Sequence, residues 1–187
     1  MITVMNSKTI VAVSLAAIFA VSMFGIHNVI ASISGPNYLV VSDFSASTQG
    51  SNLVKLSATT GDDIPRKPTD FISAHAVAGI AWADLDTGKV FVATIHPTLG
   101  RDSNQNPDAW HAHTATLGAG TASSDFCVVS IDSTPTAGIS IQGNTISVNV
   151  KQNTLAVPVS DIDGAVGFVI DGDSDCGSTL GVDVVVP

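Results

Sequence analysis

Glutamate is absent from this chain of 187 residues: all 16 acidic side chains are Asp, and Lys and Arg together number only 7. A chain without Glu and poor in Lys and Arg lacks the residues that cover exposed helix faces, which excludes coiled coils and helix-rich folds. The formal net charge is -9, so there is no basic face to displace counterions and nucleic acid is excluded as a partner. Aromatic residues make up 5% against 45% hydrophobic residues overall, so the core must be built from Val, Ile, Leu and Ala. There are only two cysteines, Cys127 and Cys176, and neither belongs to a C-x-x-C pair. A thiolate zinc site or a dithiol redox motif is therefore unsupported. The three methionines are Met1, Met5 and Met23, all near the N-terminus.

That N-terminus reads as a targeting segment. Lys8 is the only charge before Asp43, and an apolar run from Thr9 to Ile26 follows it. Val29 and Ala31 then give the small-residue spacing of a signal-peptidase site, with cleavage after Ala31. The alternative is an uncleaved anchor that holds the protein at a membrane, although the run of 18 residues is at the short end of a span of roughly 20. Both readings export the remainder, to a secreted or cell-surface location. Residues 1–31 are thus read as the leader, 32–37 as a linker containing Gly35-Pro36, and 38–187 as a single domain. Removing the leader takes away one cation, and the balance becomes -10. Outside the cell the two cysteines are expected to pair, and their span of 49 residues corresponds to about 4 kcal/mol of chain entropy.

Period-2 patterning dominates the domain. Strands are expected at Tyr38–Phe44, Leu53–Ala58, Ala76–Leu85, Lys89–Ile95, Trp110–Leu117, Asp125–Ile131, Gly138–Gln142, Thr145–Val150, Ala165–Ile170 and Val182–Val186. Asp86-Thr87-Gly88 fits a three-residue hairpin turn and Gly143-Asn144 a two-residue one. In the arm after Gly88, Val90, Val92 and Thr94 face one way while Phe91, Ala93 and Ile95 face the other. Ile139, Ile141, Ile146, Val148 and Val150 form one apolar face of the later hairpin. The expected fold is all-β: an antiparallel β-sandwich, Ig-like or Greek-key, of about nine or ten strands with one disulfide.

Function, as far as residues disclose it, lies in Trp110-His111-Ala112-His113-Thr114. In a strand the side chains of residues i and i+2 share a face, so His111 and His113 project side by side as a pair of imidazole ligands would. His96 ends the preceding strand across a loop of 14 residues, and His75 precedes the strand before that. These four are the only histidines outside the leader, and the expected metal set is His111, His113 and His96 with His75 as fourth partner. Asp102 and Asp108 in the intervening loop are further oxygen donors. With methionine confined to the leader and the cysteines paired, soft ligands are missing. Imidazole with carboxylate or water then suits Zn(II) or Cu(II), and a blue-copper centre is excluded. Three histidines and an open position would support metal-assisted hydration, hydrolysis or redox chemistry, whereas four protein ligands would make a structural site or a metal store.

The order Gly79-Ile-Ala-Trp-Ala-Asp-Leu, an Asp86-Thr-Gly turn, Lys89-Val-Phe-Val-Ala-Thr-Ile, a loop and His111-Ala-His113 resembles CHRD domains. More distantly it is similar to Cu/Zn superoxide dismutases. The resemblance covers roughly residues 76–117, and Thr114 stands where the CHRD pattern usually has Gly. It implies a β-sandwich that carries H-x-H on a strand. The chain at large, including Asp125-Phe-Cys-Val-Val-Ser-Ile, is similar to secreted proteins of ammonia-oxidising archaea.

Asp171-Gly-Asp173-Ser-Asp175 has the D-x-D-x-D spacing of a calcium loop, and the alternative is a polar turn beside the disulfide. Cys176 occupies the position of the EF-hand Gly and no Glu follows, so Asp171, Asp173 and Asp175 do not form an EF-hand. No P-loop, G-x-G-x-x-G or G-x-S-x-G motif occurs. A second class of function stays open beside the metal site. An exported chain rich in Val, Thr and Ser could be a non-enzymatic surface or filament subunit that self-associates through strand edges.

Overall fold

The computed structural model describes residues 33–69, 77–96, 109–171 and 175–187. Residues 1–31, read as a leader, lie outside them, and so does Ser32 of the expected linker. Eleven strands are present among the described residues: β1 Ile33–Ser34, β2 Val41–Gln49, β3 Leu53–Thr60, β4 Val77–Asp84, β5 Lys89–Ile95, β6 His111–Ala119, β7 Phe126–Ser133, β8 Gly138–Gln142, β9 Thr145–Lys151, β10 Gly164–Asp171 and β11 Gly181–Val186. They form a four-stranded sheet in the order β2-β3-β9-β8 and a seven-stranded sheet in the order β1-β11-β10-β4-β5-β6-β7. All pairings are antiparallel except that of β1 with β11.

The larger sheet departs from a simple sandwich because its two sides meet. β11 pairs with β7 at Gly181↔Cys127 and Val182↔Phe126, which closes β11-β10-β4-β5-β6-β7 into a six-stranded barrel. The seam is short. Val128 N donates to Leu180 O (2.9 Å) beside it, and Val184 N donates to Asp125 Oδ2 (2.7 Å) beyond it. The Cys127–Cys176 disulfide crosses the same place, with Cα atoms 5.6 Å apart. The expected pairing of the cysteines is present, and it ties β7 to the segment leading into β11.

Two apolar cores follow from closure, one on each face of β4–β6. Between the sheets, Val54, Leu56, Ile146, Val148 and Val150 pack on Ile80, Trp82, Phe91, Ala93 and Ala112. Trp82 is fully buried, and its Nε1 donates to Ser57 O (3.3 Å) across this interface. Inside the barrel, Ala81, Ala83, Val90, Val92, Ala115, Phe126, Val128, Val166, Phe168, Val182 and Val184 face the lumen. The expected alternation of β5 therefore holds, with each of its faces meeting a different core.

Turn chemistry sets the register. The Asp84 carboxylate accepts from Asp86 N (3.0 Å), Thr87 N (3.1 Å) and Thr87 Oγ1 (2.6 Å). Gly88 takes φ +69° there, and a Cβ at that position would lie 2.6 Å from Leu117 O. This turn pins β4 against β5. At the N-terminus the order differs from expectation. Ile33 and Ser34, read as linker, pair in parallel with Val185 and Val186, because Ile33 joins an apolar cluster with Leu39, Ala78 and Val185. A 3-10 turn over Asn37–Leu39 follows Pro36 and buries Leu39, so the next strand starts at Val41 rather than Tyr38.

Candidate metal centre

Parity along β5 and β6 places the imidazoles. Val90, Val92 and Thr94 line the lumen, and His96, the first residue after β5, continues that face. On β6, His113, Ala115 and Leu117 line the lumen, and His111 shares their parity. Register completes the arrangement: Thr94 lies opposite His111 and Val92 opposite His113, so the strand pairing brings the end of β5 beside the start of β6.

The ligand nitrogens of His96, His111 and His113 all lie within 4.8 Å of one another. His96 and His113 are buried, at 5% and 6% exposure, and His111 is half-buried. His111 Nδ1 is 2.8 Å from Ala109 O. A carbonyl only accepts, so Nδ1 carries the proton and Nε2 presents a lone pair inward. His96 Nε2 is 2.8 Å from His111 Nε2. Without an ion between them, His96 must donate to that lone pair, so an ion entering there takes the place of a proton. His113 Nδ1 lies 3.3 Å from Thr134 Oγ1, which leaves its Nε2 for the cluster. Two nitrogens on one tetrahedral zinc, each about 2.0–2.1 Å from it, are about 3.3 Å apart. The 2.8 Å pair and the 4.8 Å limit bracket that separation, so small side-chain adjustments suffice to seat an ion. A backbone carbonyl on His111 and a hydroxyl on His113 are the orienting partners that ligating imidazoles usually have.

The cluster stands at one end of the barrel lumen, a cavity of about 460 Å³ whose described lining includes His96 and His113. Asp132 also lines it, but its oxygens accept from Ser130 Oγ (2.5 Å) and Thr116 Oγ1 (2.9 Å). The structure brings together three of the four expected histidines. His75, Asp102 and Asp108 lie outside the described residues. So do Asp173 and the side chain of Asp171, while Asp175 is exposed and its N donates to Ser123 Oγ (3.1 Å). The expected calcium loop therefore falls largely outside the described residues. Thr134, Ala109 and Thr94 were not expected from the sequence. Only Thr94 left a signal there, as a hydroxyl in the otherwise apolar series Val90, Val92, Thr94.

Comparison of the chain with protein-family models, with curated proteins and with solved structures gives no match.

Proposed function

We propose that this is an exported metal-binding protein whose His96, His111 and His113 hold one divalent transition metal, Zn(II) or Cu(II), at the end of an apolar barrel. The observation that carries the reading is the convergence of three ligand nitrogens within 4.8 Å, with the His111 tautomer fixed by Ala109 O at 2.8 Å. Two further features support it. The disulfide fits an oxidising compartment outside the cell, as the apolar N-terminal run does. The described donor set is three imidazoles without sulfur, since both cysteines are paired and methionine is confined to the first 23 residues, which suits Zn(II) or Cu(II) better than Cu(I).

With the three ligands found among the described residues, a fourth position is left for water or an oxygen-bearing molecule. A zinc ion held this way lowers the pKa of its bound water to about 7, the basis of metal-assisted hydration and hydrolysis. The test is calorimetric titration of the purified protein with zinc chloride. The expected result is one ion per chain, released on acidification as protons compete for the imidazole lone pairs. The paired substitution His111→Ala with His113→Ala should abolish binding. Equal uptake by parent and variant would overturn the site.

A second reading has its own observation. From Val129 to Ser133, β7 has a ladder partner only on the β6 side among the described residues, and Val129 and Ile131 are exposed at 62% and 59%. An open edge of this kind supports strand addition by a second copy at the cell surface. The mass in solution separates the readings: a metal-free polymer favours assembly, and a monomer with one metal favours the ion site.

A further inference from the structure

Barrel interiors of this size are ordinarily filled by side chains, and this one is not. The lumen, open at its rim, offers about 460 Å³, some three times the volume of an engineered apolar cavity of about 150 Å³ that takes up benzene. The space exists because residues that face inward are small. Ala81, Ala83 and Ala115 stand where Leu or Phe would fill the barrel. Gly79 leaves room for the Phe168 ring to lie across it, since a Cβ there would sit 2.9 Å from that ring. At about 30 Å³ for each water-sized group, the volume accommodates about fifteen groups.

Polarity is confined to parts of the lining. His96 and His113 stand at one end, together with Thr94, which is 3% exposed. The Thr94 hydroxyl is buried and has no hydrogen-bond partner among the described residues, and its residue lies opposite His111 in the strand register. A buried hydroxyl is ordinarily satisfied, so this one is poised for a group that enters the lumen. Ile131 and Leu180 belong to the lining yet are 59% and 40% exposed, and both stand towards the imidazole end: Ile131 lies opposite Ala115, two residues from His113, and Leu180 precedes Gly181, which pairs with Asp171 at the end of β10. They form the rim of an opening beside the short β7–β11 seam.

We infer that the lumen binds a small aliphatic carboxylate of roughly ten non-hydrogen atoms, with its head group at the His96–His111–His113 end beside Thr94 and its tail among Val90, Val92, Val128 and Val166. The head-group part rests on the metal reading above. An ion held by three neutral imidazoles keeps its full double charge in apolar surroundings, so an anionic oxygen ligand is favoured over a neutral one. One carboxylate oxygen takes the fourth metal position, and the other accepts from the Thr94 hydroxyl. The tail gains the burial that the small lining residues leave unclaimed.

The experiment is calorimetry in two stages, zinc chloride first and then sodium octanoate, with sodium acetate as the head-only control. Octanoate is expected to bind the zinc-loaded protein at least a hundredfold more tightly than acetate, since each buried methylene is worth roughly fourfold. Ala81→Phe, which fills the lumen from β4, two strands from His113, should weaken octanoate at least tenfold and leave zinc uptake at one per chain. Val166→Phe, on the neighbouring strand, replaces it if the first variant does not fold. Octanoate no tighter than acetate, or unaffected by the lumen-filling variant, overturns the lumen site while the zinc titration stands by itself. Octanoate binding that Ala81→Phe abolishes in a chain that takes up no zinc supports the lumen site and overturns the metal reading beneath its head group.

Discussion

Removing the disulfide should open the barrel, and the size of the effect follows from the seam. β7 and β11 share only two residue pairs, with the Val128–Leu180 and Val184–Asp125 bonds on either side. The cross-link between Cys127 and Cys176 closes a separation of 49 residues, which restricts the unfolded chain by about 4 kcal/mol. Both cysteines are half-buried, so replacing them with Ala leaves no large hole and buries no new polar group. The variant Cys127→Ala with Cys176→Ala should lose close to the full entropic amount, because so short a ladder retains little order of its own. For a domain of this size each kcal/mol corresponds to roughly 2–4 °C, so the melting temperature should fall by about 8–16 °C. Differential scanning calorimetry measures it, and hydrogen exchange should show the Val128 and Val184 amides losing protection first. A drop of less than about 1 kcal/mol would mean that the strand pairing holds the seam unaided, and the account of barrel closure would be wrong.

Two further perturbations probe neighbouring parts. Burial raises the Asp125 carboxyl above its usual 3.8, opposed by the hydrogen bond from Val184 N and reinforced by the negative charge of Asp183. A carboxyl with a raised folded-state pKa favours folding at low pH, and that contribution is lost as pH rises through the raised value. Asp125→Asn keeps an acceptor for Val184 N and removes the charge. Its melting temperature should therefore exceed the parent's at pH 7, the gap closing towards pH 4; a constant gap would refute the linkage. Thr134→Val removes the partner of His113 Nδ1, a bond already long at 3.3 Å. Zinc affinity measured by competition with a chelator should fall about tenfold, the low end for such orienting groups, and an unchanged affinity would show that Thr134 does not position the ring.

Most strands were legible because their alternation is local. Lys89–Ile95 and Gly138–Gln142 appear with the boundaries expected, and Gly143 takes the positive φ of 57° that its hairpin turn requires. The His111/His113 pair was legible for the same reason, since strand parity needs no knowledge of the rest of the chain. Closure of the barrel was not. It rests on two residue pairs between segments more than fifty residues apart, and no local pattern encodes them. A trace of it was present. β4 is buried along almost its whole length, and its continuous apolar run is that of a strand between two cores, which a two-layer sandwich with one wet face per sheet does not produce. Thr134 was hidden for a similar reason. It reaches His113 through the β6–β7 pairing, whose register shifts between Thr114 and Ala115, and such a bulge cannot be placed from sequence spacing.

The central claim is that three imidazoles share one ion. X-ray absorption spectroscopy of the purified protein loaded with one equivalent of zinc tests it most directly. The account predicts nitrogen or oxygen scatterers at about 2.0–2.1 Å, with the outer-shell signature of three imidazole rings and no sulfur. A spectrum of oxygen scatterers without imidazole outer shells, or with a single ring, would contradict it.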